Sequence, residues 1–127
     1  MAGTTASRMA GPALSVLRIV AALVYLQHGV QKLTGIWGGH VARDFPSFQT
    51  FGMGIEVICG ALILLGLFTH IAAFIASGEM AVAYFKFHFP HGFWPVVNHG
   101  EVPVLLCFIF LYLAAAGPGP FSVDAAR

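Results

Sequence analysis

The chain has 127 residues, of which 58% are hydrophobic and 9% charged, against about 25% charged in an ordinary soluble domain. That is one domain's worth of chain, with too few charges to coat a water-facing surface, so composition points to lipid as its solvent. Six Lys and Arg stand against five Asp and Glu with no basic run, a balance that argues against nucleic acid as a partner.

The opening stretch MAGTTASRMAGPA, residues 1–13, is small and polar and is expected to be flexible. The apolar run that follows, from about residue 14 to 33, contains Arg18 and ends in QHGVQKL. It is longer than the ~7–15 residues of a signal-peptide core and lacks a small-residue cleavage site, so it reads as a retained helix. A membrane-spanning helix takes about 20 mostly apolar residues. Three further segments qualify or nearly so: residues 51–68, residues 70–89, and Glu101–Ala116, which stops at GPGP. The fourth is short, implying a thin or tilted crossing. Asn98 and Glu101 have capping-box spacing, whereas Pro103 favours a helix start nearer Gly100.

Thr69 and His70 alone separate the second and third segments, which forces an antiparallel hairpin. Residues 34–50 and 90–100 are longer connections rich in Gly, Pro and aromatic residues, and Trp37 and Trp94 suit a membrane interface. The expected fold is therefore all-α: an integral membrane four-helix up-down bundle over residues 14–118, a tail over 119–127, and both termini on one side. Arg8, Arg18 and Arg127 on the terminal side nearly balance Arg43, Lys32 and Lys86 on the loop side. The orientation adopted places the termini in the cytoplasm.

With a rise of about 1.5 Å per residue, alternating helices deliver His28, Lys32, Glu56, Lys86, His88, Asn98 and Glu101 to the loop-side half of the membrane. Glu79 falls near mid-depth and Arg18 near the terminal side. Arg18, Tyr25, His28 and Lys32 share one helical face, and Gly52, Glu56 and Gly60 recur at small-residue packing spacing. Glu79 and Lys86 share a face, while His88 lies nearly opposite Glu79 and points to the loop or headgroups. Buried charges in a membrane are expensive and mark function or specific pairing.

Each candidate has two readings. Glu79 is a proton-handling group, a partner of Arg18, or a protonated carboxyl bonded to a neighbour. Glu56 lines a functional pocket or packs helices. His28 carries proton or ligand chemistry or makes a helix–helix hydrogen bond. Lys32 and Lys86 are site residues or interfacial anchors, and Glu101 is a site residue or a cap. His28 and His88 as axial haem ligands is a weaker pattern. Cys59 and Cys107 read as small core residues. No metal-spaced cluster, nucleophile–base triad or phosphate loop is present in the sequence, so no catalytic residue is assigned.

The ordered set LRIVAALVYLQHGVQKL, GIEVICGALILLGLFTH, SGEMAVAYFKFHFPHGFWPVVNHGE and LYLAAAGPGPFSVD resembles the DoxX family across nearly the whole chain after Leu14. One departure is His70, where the family commonly has arginine. The resemblance implies four membrane helices in a bacterial cytoplasmic membrane. It also implies a link to quinone-linked, sulfur or oxidative-stress oxidoreductases; no cofactor is evident in the chain itself, and a quinone and a redox protein partner are the candidates that the resemblance offers. Three functions follow as expectations. The first is an oxidoreductase-associated subunit whose polar pocket takes a quinone-like ligand or passes protons. The second is a non-catalytic scaffold, and the third a small-molecule conduit, which would need a homo-oligomer to form a pore.

Overall fold

The computed structural model describes residues 4–38 and 47–127, and every regular element among them is helical. Arg43 and the DFP turn expected near it lie outside the described residues. A short helix, α1 (Thr5–Arg8), is capped by Thr4, whose Oγ1 accepts the Ser7 amide at 3.0 Å. The long helix α2 (Ala10–Thr34) follows. Helix thus begins ahead of the expected start near Leu14. It ends where Gly35 turns left-handed at φ 77°, and the Gly35 amide closes on the Gln31 carbonyl at 2.8 Å.

The hairpin is formed by α3 (Ser47–Leu65) and α4 (Thr69–Ala83). Its turn lies at residues 66–68, just before the two residues singled out from sequence. Gly66 sits at φ +71°, and a side chain there would collide with Ser122 and approach Arg18 Nη1 at 3.1 Å, so only glycine fits. Phe68 also adopts a left-handed conformation and offers no capping oxygen. The cap comes instead from the far end of the chain: the Asp124 carboxylate accepts the Phe68 and Thr69 amides, each at 3.0 Å. Those amides would otherwise be orphaned donors at a helix start.

Beyond Ala83 the helix loosens into a π-turn at Tyr84–His88 and tightens into a 3₁₀ turn at Phe89–His91. The short α5 (Pro95–Asn98) leads to α6 (Glu101–Ala116), as bounded from sequence, and α7 (Val123–Ala126) completes the described elements. The expected capping box is not made. Asn98 is buried and spends its side chain on the local loop. Its Oδ1 accepts the Gly100 amide at 2.8 Å, and its Nδ2 donates to Tyr84 Oη at 3.0 Å and to the Gly92 carbonyl at 2.8 Å. Gly100 is the N-cap, as Pro103 favoured.

The principal seams join α2 to α3, α3 to α4, and α4 to α6. Ala72, Ala73 and Ala76 are buried on α4, and such small residues let helices approach closely where lipid supplies no hydrophobic drive between them. Tyr25 meets Phe110 edge-on at 4.9 Å. The small face expected on α3 divides between two neighbours. A Cβ on Gly60 would lie 3.1 Å from Leu26 of α2, whereas one on Gly52 would approach Glu79 of α4 at 3.5 Å. Cys59 is buried, Cys107 is half-buried, and both are free thiols.

The outside is apolar: Leu23, Ile58, Ile71, Phe74, Leu105 and Phe108 are all exposed, an outward hydrophobic surface suited to lipid. Among the described residues α2 alone is both long and apolar enough to meet the usual criterion for a spanning helix; Gln49–Leu65 and Glu101–Ala116 are apolar but shorter. The chain ends are tied together at one end of the helices. Ser15 Oγ donates to the Pro118 carbonyl at 3.1 Å and accepts the Phe121 amide at 3.0 Å.

Candidate functional site

The most concentrated polar chemistry lies between α2, α3 and α4. Glu56 is 1% exposed, a position that a carboxylate occupies only with a partner. Lys32 supplies one: its Nζ lies 3.0 Å from both Glu56 oxygens. The lysine side chain, 25% exposed, reaches inward from the end of α2, so its apolar stem is covered while its ammonium meets the buried acid. Gly29, one turn earlier, allows this approach, because a Cβ there would press on Glu56 Cβ at 2.9 Å and on the Val57 amide nitrogen at 3.0 Å.

Glu79 joins the cluster from α4: Tyr25 Oη donates to its Oε1 at 2.9 Å, and Glu79 and Glu56 line the same cavity. Two hydrogen-bonded pairs, Lys32–Glu56 and Tyr25–Glu79, therefore bring two carboxyls, one ammonium and one phenol to this region. The ammonium only donates, whereas the phenol and a carboxyl that gains or loses a proton can do either, a mix suited to moving a proton or fixing a polar ligand.

Lys32, Glu56 and Glu79 face a cavity of about 370 Å³ bounded by all three helices and the start of α6, with Tyr25 buried behind Glu79. His28, Lys32, Glu56, Glu79, His88 and His99 supply polar walls, and Met80, Ala83, Phe87, Val102 and Pro103 supply apolar ones. A mostly apolar concavity with a few convergent polar groups is the usual form of a small-molecule site.

Of the residues proposed from sequence, His28, Lys32, Glu56, Glu79 and His88 are brought to this cavity. Arg18 is not. It is 1% exposed and donates to the carbonyls of Pro118, Phe121 and Leu64. The expected partnership with Glu79 is replaced by a clamp on the C-terminal segment, because a planar guanidinium can serve several carbonyls at once. Asn98 is a loop staple, and Glu101 and Lys86 are exposed residues that do not line the cavity. Glu101 occupies the first turn of α6, where a negative charge suits the helix dipole.

His88 differs from expectation in the other direction. Regular helix geometry puts it opposite Glu79, yet both line one cavity. The wider π-turn at Tyr84–His88 delays the helical phase by about a quarter turn. The Asn98 carbonyl, 3.0 Å from His88 Nδ1, then fixes the ring. Tyr25 and His99 were missed as site residues. Tyr25 shares a face with His28 and Lys32, a signal already available in the sequence. His99 reaches the cavity through a left-handed backbone at φ 61°, for which the sequence held no cue.

A family model described as DoxX matches residues 13–89. A Haemophilus influenzae protein described as uncharacterized is 39% identical over 118 residues, covering 87% of each chain. A Mycobacterium tuberculosis protein described as an uncharacterized membrane protein is 28% identical over 130 residues, covering 89% of this chain and 80% of its own. No solved structure matches. The family segment contains Tyr25, His28, Lys32, Glu56, Glu79 and His88, whereas Asn98, His99 and Glu101 fall beyond it.

Proposed function

This chain belongs to the DoxX family of membrane proteins, and from that membership we propose that it is the membrane subunit of a quinone-linked or sulfur- or stress-related oxidoreductase. In this reading α2, α3, α4 with its extension, and α6 cross a bacterial cytoplasmic membrane as an up-down bundle over residues 14–118, with both termini cytoplasmic. The hydrogen-bonded chain ends support a common side for the termini, and the exposed apolar girdle supports lipid contact.

The observation that carries the ligand reading is that Lys32, Glu56 and Glu79 open on an apolar-walled cavity, with Tyr25 hydrogen-bonded to Glu79 behind it. Lys32 and His28 are suited to donate hydrogen bonds to a carbonyl-bearing ring, and Phe87, Met80 and Val102 to cover its faces. The size of the cavity, about 370 Å³, lies in the ~300–1,000 Å³ range of small-molecule sites and fits a single ring. A bound quinone would supply the capacity to accept two electrons and two protons. Glu79 and Glu56 would deliver or remove protons at its edge, with Tyr25 orienting Glu79 from behind, and the electrons would come from a partner protein.

The test is purification in mild detergent with identification of bound lipids and proteins, followed by titration with a decyl-tailed benzoquinone. Saturable binding that weakens at least tenfold in His28→Ala or Glu56→Gln supports the reading. Absence of quinone binding, with partner activity untouched by both substitutions, ends it. A scaffold function is the second reading, favoured by one observation: Lys32 and Glu56 satisfy each other across the α2–α3 seam. It requires that substitutions lower abundance or assembly and leave turnover per assembled complex unchanged.

A further inference from the structure

A second cavity, about 260 Å³ and almost wholly apolar, runs between α3 and α4. Phe51, Ile55, Ile75, Gly78 and Val82 form most of its wall, and Gly52, Glu79 and Ala83 belong to both this wall and that of the polar cavity. The two spaces therefore meet at the Glu79 carboxyl. We propose that the site takes an amphiphile entering sideways from the bilayer, its tail in the α3–α4 slot and its uncharged polar head at Glu79 and Lys32.

The α3–α4 seam differs from the α2–α3 seam. A Cβ on Gly29 or Gly60 would press on the facing helix at 3.1 Å or closer, so α2 and α3 are in tight contact there. A Cβ on Gly78 would meet nothing within 4 Å, and one on Gly52 only the Glu79 carboxylate at 3.5 Å. Room is left beside α4 where no side chain fills it. Phe51, Ile75 and Val82 are exposed on the outward apolar face, so the slot opens towards lipid. An apolar lining holds a hydrocarbon tail and leaves a water-borne polar ligand without partners.

Charge selects the head. Glu56, Glu79 and Lys32 line the same cavity, and the Lys32 ammonium is held by both Glu56 oxygens. A phosphate-bearing lipid head would have to compete with the Glu56 carboxylate for the Lys32 ammonium, whereas a neutral carbonyl or hydroxyl head finds donors and acceptors without displacing that pair. A tail leaving lipid for the slot changes solvent little, since both are hydrocarbon. The slot therefore governs route and orientation more than affinity, and the test must read position.

The proposal rests on the polar cavity being a ligand site, and the experiment separates the two. Protein in lipid nanodiscs is irradiated with a benzoquinone whose decyl tail carries a diazirine, and the adducts are mapped by mass spectrometry. Unlabelled decyl-benzoquinone binding is measured in parallel. The expected adducts lie on residues 51–55 and 75–82, are displaced by unlabelled ligand, and fall at least fivefold in Gly78→Leu and in Val82→Trp. Gly54→Leu, whose added side chain also starts in open space outside the slot, leaves them unchanged. Saturable binding with adducts on α2 or α6, or adducts indifferent to both slot variants, overturns the slot while the polar site stands. No saturable binding overturns both.

Discussion

Lys32→Met isolates the interaction on which the polar site depends. Glu56 is 1% exposed, and both its oxygens lie 3.0 Å from the Lys32 ammonium. At an effective dielectric of about 20, two unit charges that close attract by ~5 kcal/mol. Desolvation offsets part of this, and Lys32 keeps 25% exposure, so solvent screens it further. Breaking a fully buried pair by removing one partner costs about 3–5 kcal/mol. For this partly screened pair the expected loss is about 2–3 kcal/mol, roughly 30- to 150-fold in the folding equilibrium. Removing both charges together, as Lys32→Met with Glu56→Leu, should restore most of the loss, because no buried acid is then left alone. The assay is reversible unfolding in mixed dodecyl maltoside–SDS micelles, followed by circular dichroism, with all four members of the cycle. A single-variant loss below about 0.5 kcal/mol, or additive losses in the double variant, would refute the assignment of this pair as the centre of the cluster.

Arg18→Met should remove one donor from the Pro118 carbonyl, which keeps Ser15 Oγ, and the donor of the Phe121 carbonyl, at about 1.5–3 kcal/mol for a hydrogen bond from a charged group. Limited proteolysis should then cut within residues 118–127 earlier than in the parent protein. Asp124 is held below its usual carboxylate range, first by the Thr69 amide and then by the Phe68 amide, against some desolvation. A depressed folded-state value means that its stabilisation is complete above the unfolded value near 4 and fades as pH falls through the folded one. Asp124→Asn should flatten the pH dependence of the unfolding midpoint below about pH 4; an unchanged slope counts against this cap. Gly29→Ala should cost about 1–3 kcal/mol, because its methyl meets the Val57 backbone at 3.0 Å as well as Glu56. A midpoint equal to that of the parent protein would show that the α2–α3 seam has slack.

Much of the arrangement was legible along the chain. Apolar runs broken by Gly and Pro located the long helices, and GPGP marked the end of α6. Alternating direction along the chain placed His28, Lys32 and Glu56 in one layer. Three features resisted. Arg18 and Glu79 were an intuitive pair of opposite charges, yet arginine found carbonyls nearer its own depth. His88 lies on a different face from the one its spacing predicts, because a uniform turn of about 100° per residue does not hold through a π-turn. Asn98 and Glu101 had capping spacing, but the asparagine gained three loop hydrogen bonds instead.

By itself, the sequence determined the solvent and the periodicity. A chain 9% charged must hide its few ionisable groups, and helical spacing says which of them share a face. Which carboxyl meets which cation was decided only by the tertiary structure. Pairing depends on distances of a few ångströms across seams, on Gly29 admitting α3 and on the π-turn redirecting His88, and no one-dimensional pattern carries that information.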